Sequence, residues 1–318
     1  MSEVISKLRK TIWAQRIYYP IKNLEYEILF KPNPEKFIKK EYRRRVNNGS
    51  ELDLENPKRL TEKMNWLKLY YEDEDMYRLG DKWYARNFVK ERVGGEYLVP
   101  VFDYFTDVSR FDIAKYPDEF VIKGTHNSGD VILCRNKSEL DVKKVKKELK
   151  VWLKKDFYKK SKEPSYKKAV PGIIIEKYLD SGKYNAPKDY KIFCFNGLPT
   201  FIAVYTDRYG STKKVGQIVY DTEWNVMPFI FGTETKFVRN LDNQEQKPEC
   251  FEEMMEISKK LAKEFPLVRV DLYVINGKIY FGEMTFFHLN GYFQCTPNEW
   301  DLKLGQMVNI EKVGRGNE

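Results

Sequence analysis

Apolar residues follow a helical spacing in three segments of this chain. They recur at Val4, Ile5, Leu8 and Ile12, at Val142, Val145, Leu149 and Trp152, and at Met254, Ile257, Leu261 and Phe265. Shorter runs of β-branched and aromatic residues between them favour strands. We predict a mainly helical region over residues 1–80, with Thr61 as a helix N-cap, a smaller mixed lobe over 81–170, a larger mixed lobe over 171–311 and a tail over 312–318.

Two neighbouring strands of the larger lobe carry polar residues that can act together. Arg269 and Asp271 lie on the first strand, and Glu283 and Thr285 lie on the second. Asn276-Gly277 between the strands predicts a tight hairpin turn. If all four side chains share one face, the two carboxylates can hold Mg²⁺ that bridges phosphate oxygens. The alternative is an ordinary hairpin with a solvated polar face.

The register of this hairpin decides between the two interpretations. A strict two-residue turn would place Asp271 and Glu283 on opposite faces, because a shift of one residue moves every side chain to the other face. A three-residue loop over 275–277, with Gly277 left-handed, reverses that parity, and so does a β-bulge. A shared metal site therefore requires one of these two irregularities.

A lysine ends an apolar strand in the smaller lobe and precedes a small polar loop. The strand over residues 119–122 leads into Lys123, and the loop contains Gly124, Thr125, His126, Asn127, Ser128, Gly129 and Asp130. Such a loop lets backbone N–H groups approach phosphates while the lysine supplies a point charge. A plain β-hairpin is the alternative. The loop is not a Walker loop, because the Gly-Lys-Ser/Thr ending is missing and a strand follows.

In order and spacing, these elements resemble an ATP-grasp enzyme, and most closely the TupA-like ATP-grasp amidoligases of surface-polysaccharide synthesis. The resemblance extends over roughly residues 50–310. The segments that carry it are NPKRLTEKMNWLK at 56–68, GDKWYAR at 80–86, the strand into Lys123 with its loop, IIIEKYL at 173–179, DYKIF at 189–193, RVD at 269–271 and GEMT at 282–285.

The resemblance implies an α+β fold of the ATP-grasp type, with two antiparallel-sheet lobes, ATP between them and a mainly helical N-terminal region before them. Lys82 and Lys123 would contact the ATP phosphates, and residues 124–130 would close over them. The strand at 176–179 would contact adenine through its main chain, and Asp189 would bind the ribose. The implied nucleotide-binding residues are Lys82, Lys123, Gly124, Thr125, Asn127, Ser128, Gly129, Glu176, Lys177, Tyr178, Leu179 and Asp189.

The same resemblance implies a site for two Mg²⁺ ions. Asp271 and Glu283 match the metal ligands, and Arg269 matches the arginine that stabilises the transferring phosphoryl group, so Arg269 and Lys123 are the candidate catalytic residues. Many ATP-grasp enzymes have Glu-x-Asn in this motif, whereas this chain has Glu-Met-Thr. Thr285, Asn290 from the following loop, or water therefore remain the alternatives for the third ligand.

Composition narrows the class of protein. The chain has 318 residues, of which 42% are apolar, and a net charge of +9. No run of 18 apolar residues and no signal-peptide core occurs, so we expect a cytoplasmic protein. Four scattered cysteines and two histidines argue against disulfides and against zinc, and we expect His126 to be exposed on its loop. No nucleic-acid-binding motif is present, so we expect no nucleic-acid partner.

The positive charge agrees with an acidic substrate. Arg208 and Lys213 lie in sequence between the predicted adenine-binding strand and the metal hairpin, where a uronic acid could dock. The N-terminal apolar pattern is surrounded by lysine and arginine. We favour its packing onto the domain, and the alternative is peripheral contact with the inner membrane or with polysaccharide-assembly enzymes.

The implied reaction is ATP-dependent joining of a carboxylate to an amine through an acyl phosphate. By resemblance, the acid would belong to an acidic sugar or a glutamyl chain of a surface polysaccharide. Two alternatives stay open at this point. One is an ATP-grasp-like sugar kinase, and the other is a non-catalytic scaffold of a polysaccharide-assembly complex.

Overall fold

The structure is a computed structural model that describes residues 12–46, 51–180, 188–206, 215–232, 237–239, 241 and 244–313, with the backbone alone at 12–14, 206, 237, 238 and 312. The predicted apolar positions Val4, Ile5 and Leu8 lie outside the described residues. The chain forms two compact units, one from residues 1–34, 74–86 and 99–178, and one from residues 35–73, 87–98 and 179–318. The lobe boundaries drawn from the sequence stay a prediction.

Nine α-helices and twelve strands lie within the described residues. The helices are α1 (Ile12–Glu25), which continues into a π-helical turn (Tyr26–Phe30), α2 (Pro34–Arg45), α3 (Leu60–Tyr70), α4 (Met76–Leu79), α5 (Lys82–Arg92), α6 (Val142–Trp152), α7 (Phe157–Ser161), α8 (Phe251–Ala262) and α9 (Glu299–Met307). The strands are β1 (Val101–Phe105), β2 (Phe120–Gly124), β3 (Val131–Cys134), β4 (Ile173–Lys177), β5 (Lys188–Phe195), β6 (Leu198–Thr206), β7 (Val215–Asp221), β8 (Ile230–Phe231), β9 (Phe237–Arg239), β10 (Leu267–Ile275), β11 (Lys278–Thr285) and β12 (Cys295–Thr296).

The first unit is built on a four-stranded antiparallel sheet in the order β1-β4-β2-β3. The predicted apolar stripe of α6 packs into its core, where Leu149 and Trp152 join Phe105, Phe120 and Ile175. The lysines of α6 are exposed, except for Lys146, which is half-buried. Asp141 caps this helix by accepting a hydrogen bond from the N–H of Lys144 at 3.0 Å.

The second unit is built on a six-stranded sheet in the order β11-β10-β5-β6-β7-β9, antiparallel except for the parallel pair β7–β9. The ring of Phe193 stacks on the rings of Phe201 and Phe231, at centroid distances of 4.5 and 5.0 Å respectively. Helix α8 buries the predicted apolar residues Met254, Ile257 and Leu261. The α+β class, with two antiparallel sheets preceded by helices, is confirmed.

No helix within the described residues combines the length and the apolar content that crossing a bilayer requires.

Thr61 is not the N-cap that the sequence predicts. Helix α3 begins at Leu60, and Glu62 accepts hydrogen bonds from the N–H groups of Lys58 and Arg59 at 2.8 and 2.9 Å. Thr61 instead donates its hydroxyl and its N–H to Asp301 of α9, at 2.7 and 2.9 Å. The expectation failed because the partner that fixes Thr61 lies far away in sequence, in a helix that packs against α3.

We predict that Thr61→Val lowers the free energy of unfolding by about 1–3 kcal/mol. Valine has nearly the shape of threonine, but it leaves one oxygen of the buried Asp301 carboxylate without a donor. Chemical denaturation of both proteins measures the difference. Thr200→Val is the matched control, because the Thr200 hydroxyl bonds only a local carbonyl at the surface. Equal losses in the two variants would contradict the role of the Thr61–Asp301 contact.

Candidate active site

The β10–β11 hairpin brings the predicted metal-binding residues to one face of the sheet. Its loop has two residues, Asn276 and Gly277, with φ of 51° and 76°, because Ile275 pairs with Lys278. The predicted three-residue loop is therefore wrong, although Gly277 has the expected positive φ. The alternative irregularity is present instead: a β-bulge shifts the register next to Asp271. Asp271 consequently pairs with Glu283 and Arg269 with Thr285.

The extra residue of the bulge is Gly282. Asp271 pairs with Glu283 and Leu272 with Phe281, so Gly282 has no partner in the ladder. A Cβ atom at this position would lie 3.0 Å from the carbonyl oxygen of Asp271 and 3.1 Å from the ring of Tyr273. Glycine is therefore the residue that fits. A glycine inside a strand pattern is a known sign of a bulge, but the sequence analysis did not use it.

Arg269 is the centre of the polar face. Its guanidinium binds Asp271 through two hydrogen bonds, Nε to Oδ1 at 2.6 Å and Nη2 to Oδ2 at 2.7 Å. Nη2 also donates to Glu283 Oε1 at 3.1 Å and to Thr285 Oγ1 at 3.0 Å. Burial would lower the pKa of Arg269, but the charges of Asp271 and Glu283 raise it. The guanidinium therefore stays charged.

Lys191 is a functional candidate that the sequence reasoning did not single out. Its ammonium lies 2.6 Å from Asp189 and also binds Asp271. Burial would raise the pKa of Asp271, yet Arg269 and Lys191 together lower it to about 2. Burial and the charge of Asp271 raise the pKa of Asp189 against the pull of Lys191. The two cations thus favour the ionised form of Asp271, and Asp189, the predicted ribose ligand, contacts Lys191.

The loop after β11 is held by α3. Arg269 Nη1 donates to Nδ1 of His288 at 2.6 Å, which places the ring proton of neutral His288 on Nε2. Asn290, one of the alternatives for a third metal ligand, accepts bonds from Lys68 at its backbone and side-chain oxygens, both at 2.6 Å. The side-chain oxygen of Asn290 is therefore already engaged, whereas Thr285 lies on the face of the two acids.

In the first unit, Lys123 forms an ion pair with the predicted adenine-strand residue Glu176. Nζ of Lys123 lies 2.6 Å from one carboxylate oxygen of Glu176, and Nη1 of Arg86 lies 3.4 Å from the other. The two cations balance a buried acid. Val121 pairs with Glu176 across the sheet, so Lys123, two residues further along β2, points to the same face.

The β2–β3 loop is anchored at both ends by lysines. Lys82 at the start of α5 donates to the carbonyl oxygens of Gly124 and Asn127 at 3.0 and 2.5 Å. Lys155 binds both carboxylate oxygens of Asp130 at 2.6 Å. Of the predicted phosphate-binding residues, Gly124, Thr125 and Asn127 are buried, whereas Ser128 and Gly129 are exposed. Only the tip of the loop is therefore open to solvent.

His126 is buried, contrary to the expectation of an exposed loop histidine. Its Nε2 lies 3.0 Å from the carbonyl oxygen of Trp152, and its Nδ1 accepts from the N–H of Gly172 at 3.3 Å. Because Nδ1 is an acceptor, the ring is neutral and donates through Nε2. Burial lowers the pKa of His126, in agreement with this state. The residue fixes the loop to neighbouring segments of the first unit.

The remaining predicted adenine-strand residues lie at the end of β4. The N–H of Lys177 donates to the carbonyl oxygen of Pro100 at 2.9 Å, so this donor is engaged within the first unit. The guanidinium of Arg135 lies 5.5 Å from the centre of the Tyr178 ring. Leu179 is half-buried and begins the last segment of the second unit. The predicted substrate residues Arg208 and Lys213 lie outside the described residues.

The oxygen atoms around Arg269 suit a magnesium ion. Nη2 of Arg269 lies within hydrogen-bond distance of oxygens from Asp271, Glu283 and Thr285, so the three groups converge on one positively charged point. Carboxylate and hydroxyl oxygens are the ligands that Mg²⁺ prefers. Across the described part of the chain, no group of three or more histidine, cysteine, aspartate or glutamate side chains is arranged to hold a metal. A metal ion bound here would find two carboxylates and one hydroxyl.

Comparison with known proteins identifies a family. The family model described as TupA-like ATPgrasp matches residues 62–309. No curated protein matches the sequence. Similar solved structures include a D-alanine–D-alanine ligase from Bacillus anthracis complexed with ATP (14% identity, 71% of this chain, 57% of that chain, TM-score 0.39) and a phosphoribosylamine–glycine ligase from Thermotoga maritima (15%, 78%, 59%, 0.43). The present chain thus spans a little over half the length of each.

We predict that Lys191→Met lowers the free energy of unfolding by about 3–5 kcal/mol, because it leaves buried acids without their shared cation. Denaturant titration measures the loss. Lys259→Met, at an exposed position of α8, should change stability by less than about 0.5 kcal/mol. Adding Asp189→Leu to Lys191→Met should restore most of the loss, since the uncompensated acid is removed. A double variant as unstable as the single one would contradict this charge balance.

Proposed function

The chain belongs to the TupA-like ATP-grasp family, and we propose that it is an ATP-dependent ligase that joins a carboxylate to an amine. The observation that carries the proposal is the bulged hairpin, which places Asp271, Glu283 and Thr285 on one face around Arg269. An ordinary solvated hairpin needs no buried arginine at such a point. A family member that kept only a scaffold role would not need this charge arrangement either.

We assign phosphate binding in the first unit to Lys123, Lys82 and the β2–β3 loop. When Lys123 turns from Glu176 to a phosphate, Arg86 remains to balance the buried acid. Within the described residues, the side-chain amide of Asn127 is buried and has no hydrogen-bond partner. Buried amides normally find partners, so the loop has a polar group available for a ligand or for a changed loop conformation.

We assign metal binding in the second unit to Asp271 and Glu283, with Thr285 beside them. Bound Mg²⁺ would supply charge neutralisation at phosphate oxygens. Asp271 is suited to this role because its pKa of about 2 keeps it ionised at neutral pH. Lys191 of β5 binds Asp271. Glu283 is the more exposed of the two acids.

The proposed reaction has two steps. A carboxylate oxygen of the first substrate attacks the γ-phosphorus of ATP, and ADP leaves as the acyl phosphate forms. The nitrogen of an amine then attacks the acyl carbon, phosphate leaves, and the nitrogen loses one proton to give the amide. Arg269, which stays charged, would stabilise the oxyanion of the second step.

We propose an acidic sugar or a glutamyl chain of a surface polysaccharide as the acid, in a cytoplasmic reaction. The net charge of +9 supports an anionic substrate. The amine would be an amino acid or an amino alcohol.

We predict that ATP with Mg²⁺ binds the protein and raises its melting temperature, by an amount equivalent to about 2.7 kcal/mol at a concentration of one hundred times Kd. Lys123→Ala should weaken binding about 10- to 100-fold, because a charge-assisted bond to phosphate is lost. Calorimetry measures both effects, and Lys147→Ala, an exposed lysine of α6, is the control. Absence of binding at millimolar ATP would overturn the nucleotide assignment.

We predict that a screen of acids and amines finds a pair that releases ADP and phosphate only when both are present, with an amide as product. Glu283→Gln should lower this turnover at least about 100-fold without unfolding the protein, because Glu283 is partly exposed. Glu256→Gln is the matched surface control. Asp271→Asn is a less specific test, since it also leaves two buried cations unbalanced.

A phosphorylated sugar formed without an amine would show a kinase and contradict the ligase. ATP binding with no turnover in the Glu283→Gln variant and full turnover in the control would support the assigned metal role. Near-normal turnover of Glu283→Gln would overturn it.

A further inference from the structure

A row of exposed aliphatic side chains follows α1 and its π-helical continuation. Ile17, Ile21, Leu24 and Ile28 have 47, 57, 59 and 60% of their surface exposed. Their spacing of four, three and four residues places them on one side of a helix. We call these four residues the aliphatic row. Single exposed aliphatic residues are ordinary, but a continuous row of four on one helix face marks an interaction surface.

The opposite side of the same helix is attached to the first unit, so the row faces solvent. Tyr19 and Phe30 are buried, and the rings of Tyr26 and Tyr158 are in contact at 5.6 Å. The ammonium of Lys160 lies 5.4 Å from the centre of the Tyr19 ring. Packing onto the domain, the role favoured from the sequence, therefore uses one face of the helix and leaves the aliphatic row on the other.

The charges around the row are mainly positive. Residues 15–31 and Lys159 carry four cationic side chains and two acidic ones, a surplus of two positive charges. Both acids are already paired. Glu25 binds Lys22 and Lys162, each at 2.5 Å, and Glu27 binds Lys159 and Lys31 at 2.8 and 3.2 Å.

We propose that α1 docks on a lipid bilayer with anionic headgroups, with the aliphatic row at the acyl boundary and the surrounding cations at the headgroups. Helices that combine an aliphatic face with cationic flanks lie in the plane of such an interface. Anionic headgroups attract each nearby lysine or arginine. A second copy of the chain is the less suitable partner, because joining two such faces would bring positive charges together. The inference is independent of the ligase reaction.

The test is co-sedimentation of the full chain with vesicles of phosphatidylcholine alone and of phosphatidylcholine with one quarter phosphatidylglycerol. We expect binding to the anionic vesicles that weakens with added salt, and little binding to the neutral ones. The variant Ile17→Gln/Ile21→Gln/Leu24→Gln should bind the anionic vesicles at least about tenfold more weakly, because three aliphatic groups no longer enter the interface.

The matched control is Leu133→Gln/Val170→Gln/Leu198→Gln, whose residues are 53, 57 and 55% exposed and belong to other segments of the chain. It should bind as the unaltered protein does. Melting curves should show both triple variants folded, since all six positions are exposed. Equal binding of the two variants would overturn the proposal. So would no binding to anionic vesicles, or a dimer in light scattering that the aliphatic-row variant dissociates.

Discussion

The buried ion pair between Arg269 and Asp271 is the interaction on which the candidate site depends. Removing both charges from water is costly, and the cost is offset only if every remaining donor and acceptor is bonded. Here Lys191, Glu283, Thr285 and His288 supply further bonds to the pair. Because these partners come from β5, β11 and the following loop, the pair fixes the register of three neighbouring strands. A bulge at Gly282 is the irregularity that makes this register compatible with a two-residue turn.

A comparable constraint acts in the first unit. There, bonds from charged lysines fix the position of a loop, whereas in the second unit charged groups fix the register of strands. Lys82 binds carbonyl oxygens of the loop at one end, and Lys155 binds Asp130 at the other. The loop is therefore a fixed segment with a short exposed tip at Ser128 and Gly129. Any ligand that uses Lys82 must compete with these carbonyls. Lys123 can change its partner more simply, because Glu176, the acid to which it binds, also pairs with Arg86.

The hydrophobic pattern was sufficient to predict helices α6 and α8 and the pairing of β10 with β11, because these depend on local spacing. The predicted metal site also required an irregularity in the hairpin, although only the coordinates show that this is the bulge. Thr61 and His126 were misjudged because their partners, Asp301 and Trp152, are brought close by tertiary packing. Lys191 was missed for the same reason. Its place beside Asp271 follows from the order of strands in the sheet, which no local pattern reveals.

Asp271 and Glu283, the two acids of the hairpin, differ in exposure, and this difference suits them to different roles. Asp271 is 2% exposed and is held by two cations, whereas the side chain of Glu283 is 42% exposed and shares only one nitrogen of Arg269 at 3.1 Å. A buried, fully bonded acid has a fixed position but resists exchange of its partners. An exposed acid exchanges partners at little cost, because water compensates it. Asp271 therefore sets the geometry of the site, and Glu283 is the acid that can change its partner at the lower cost.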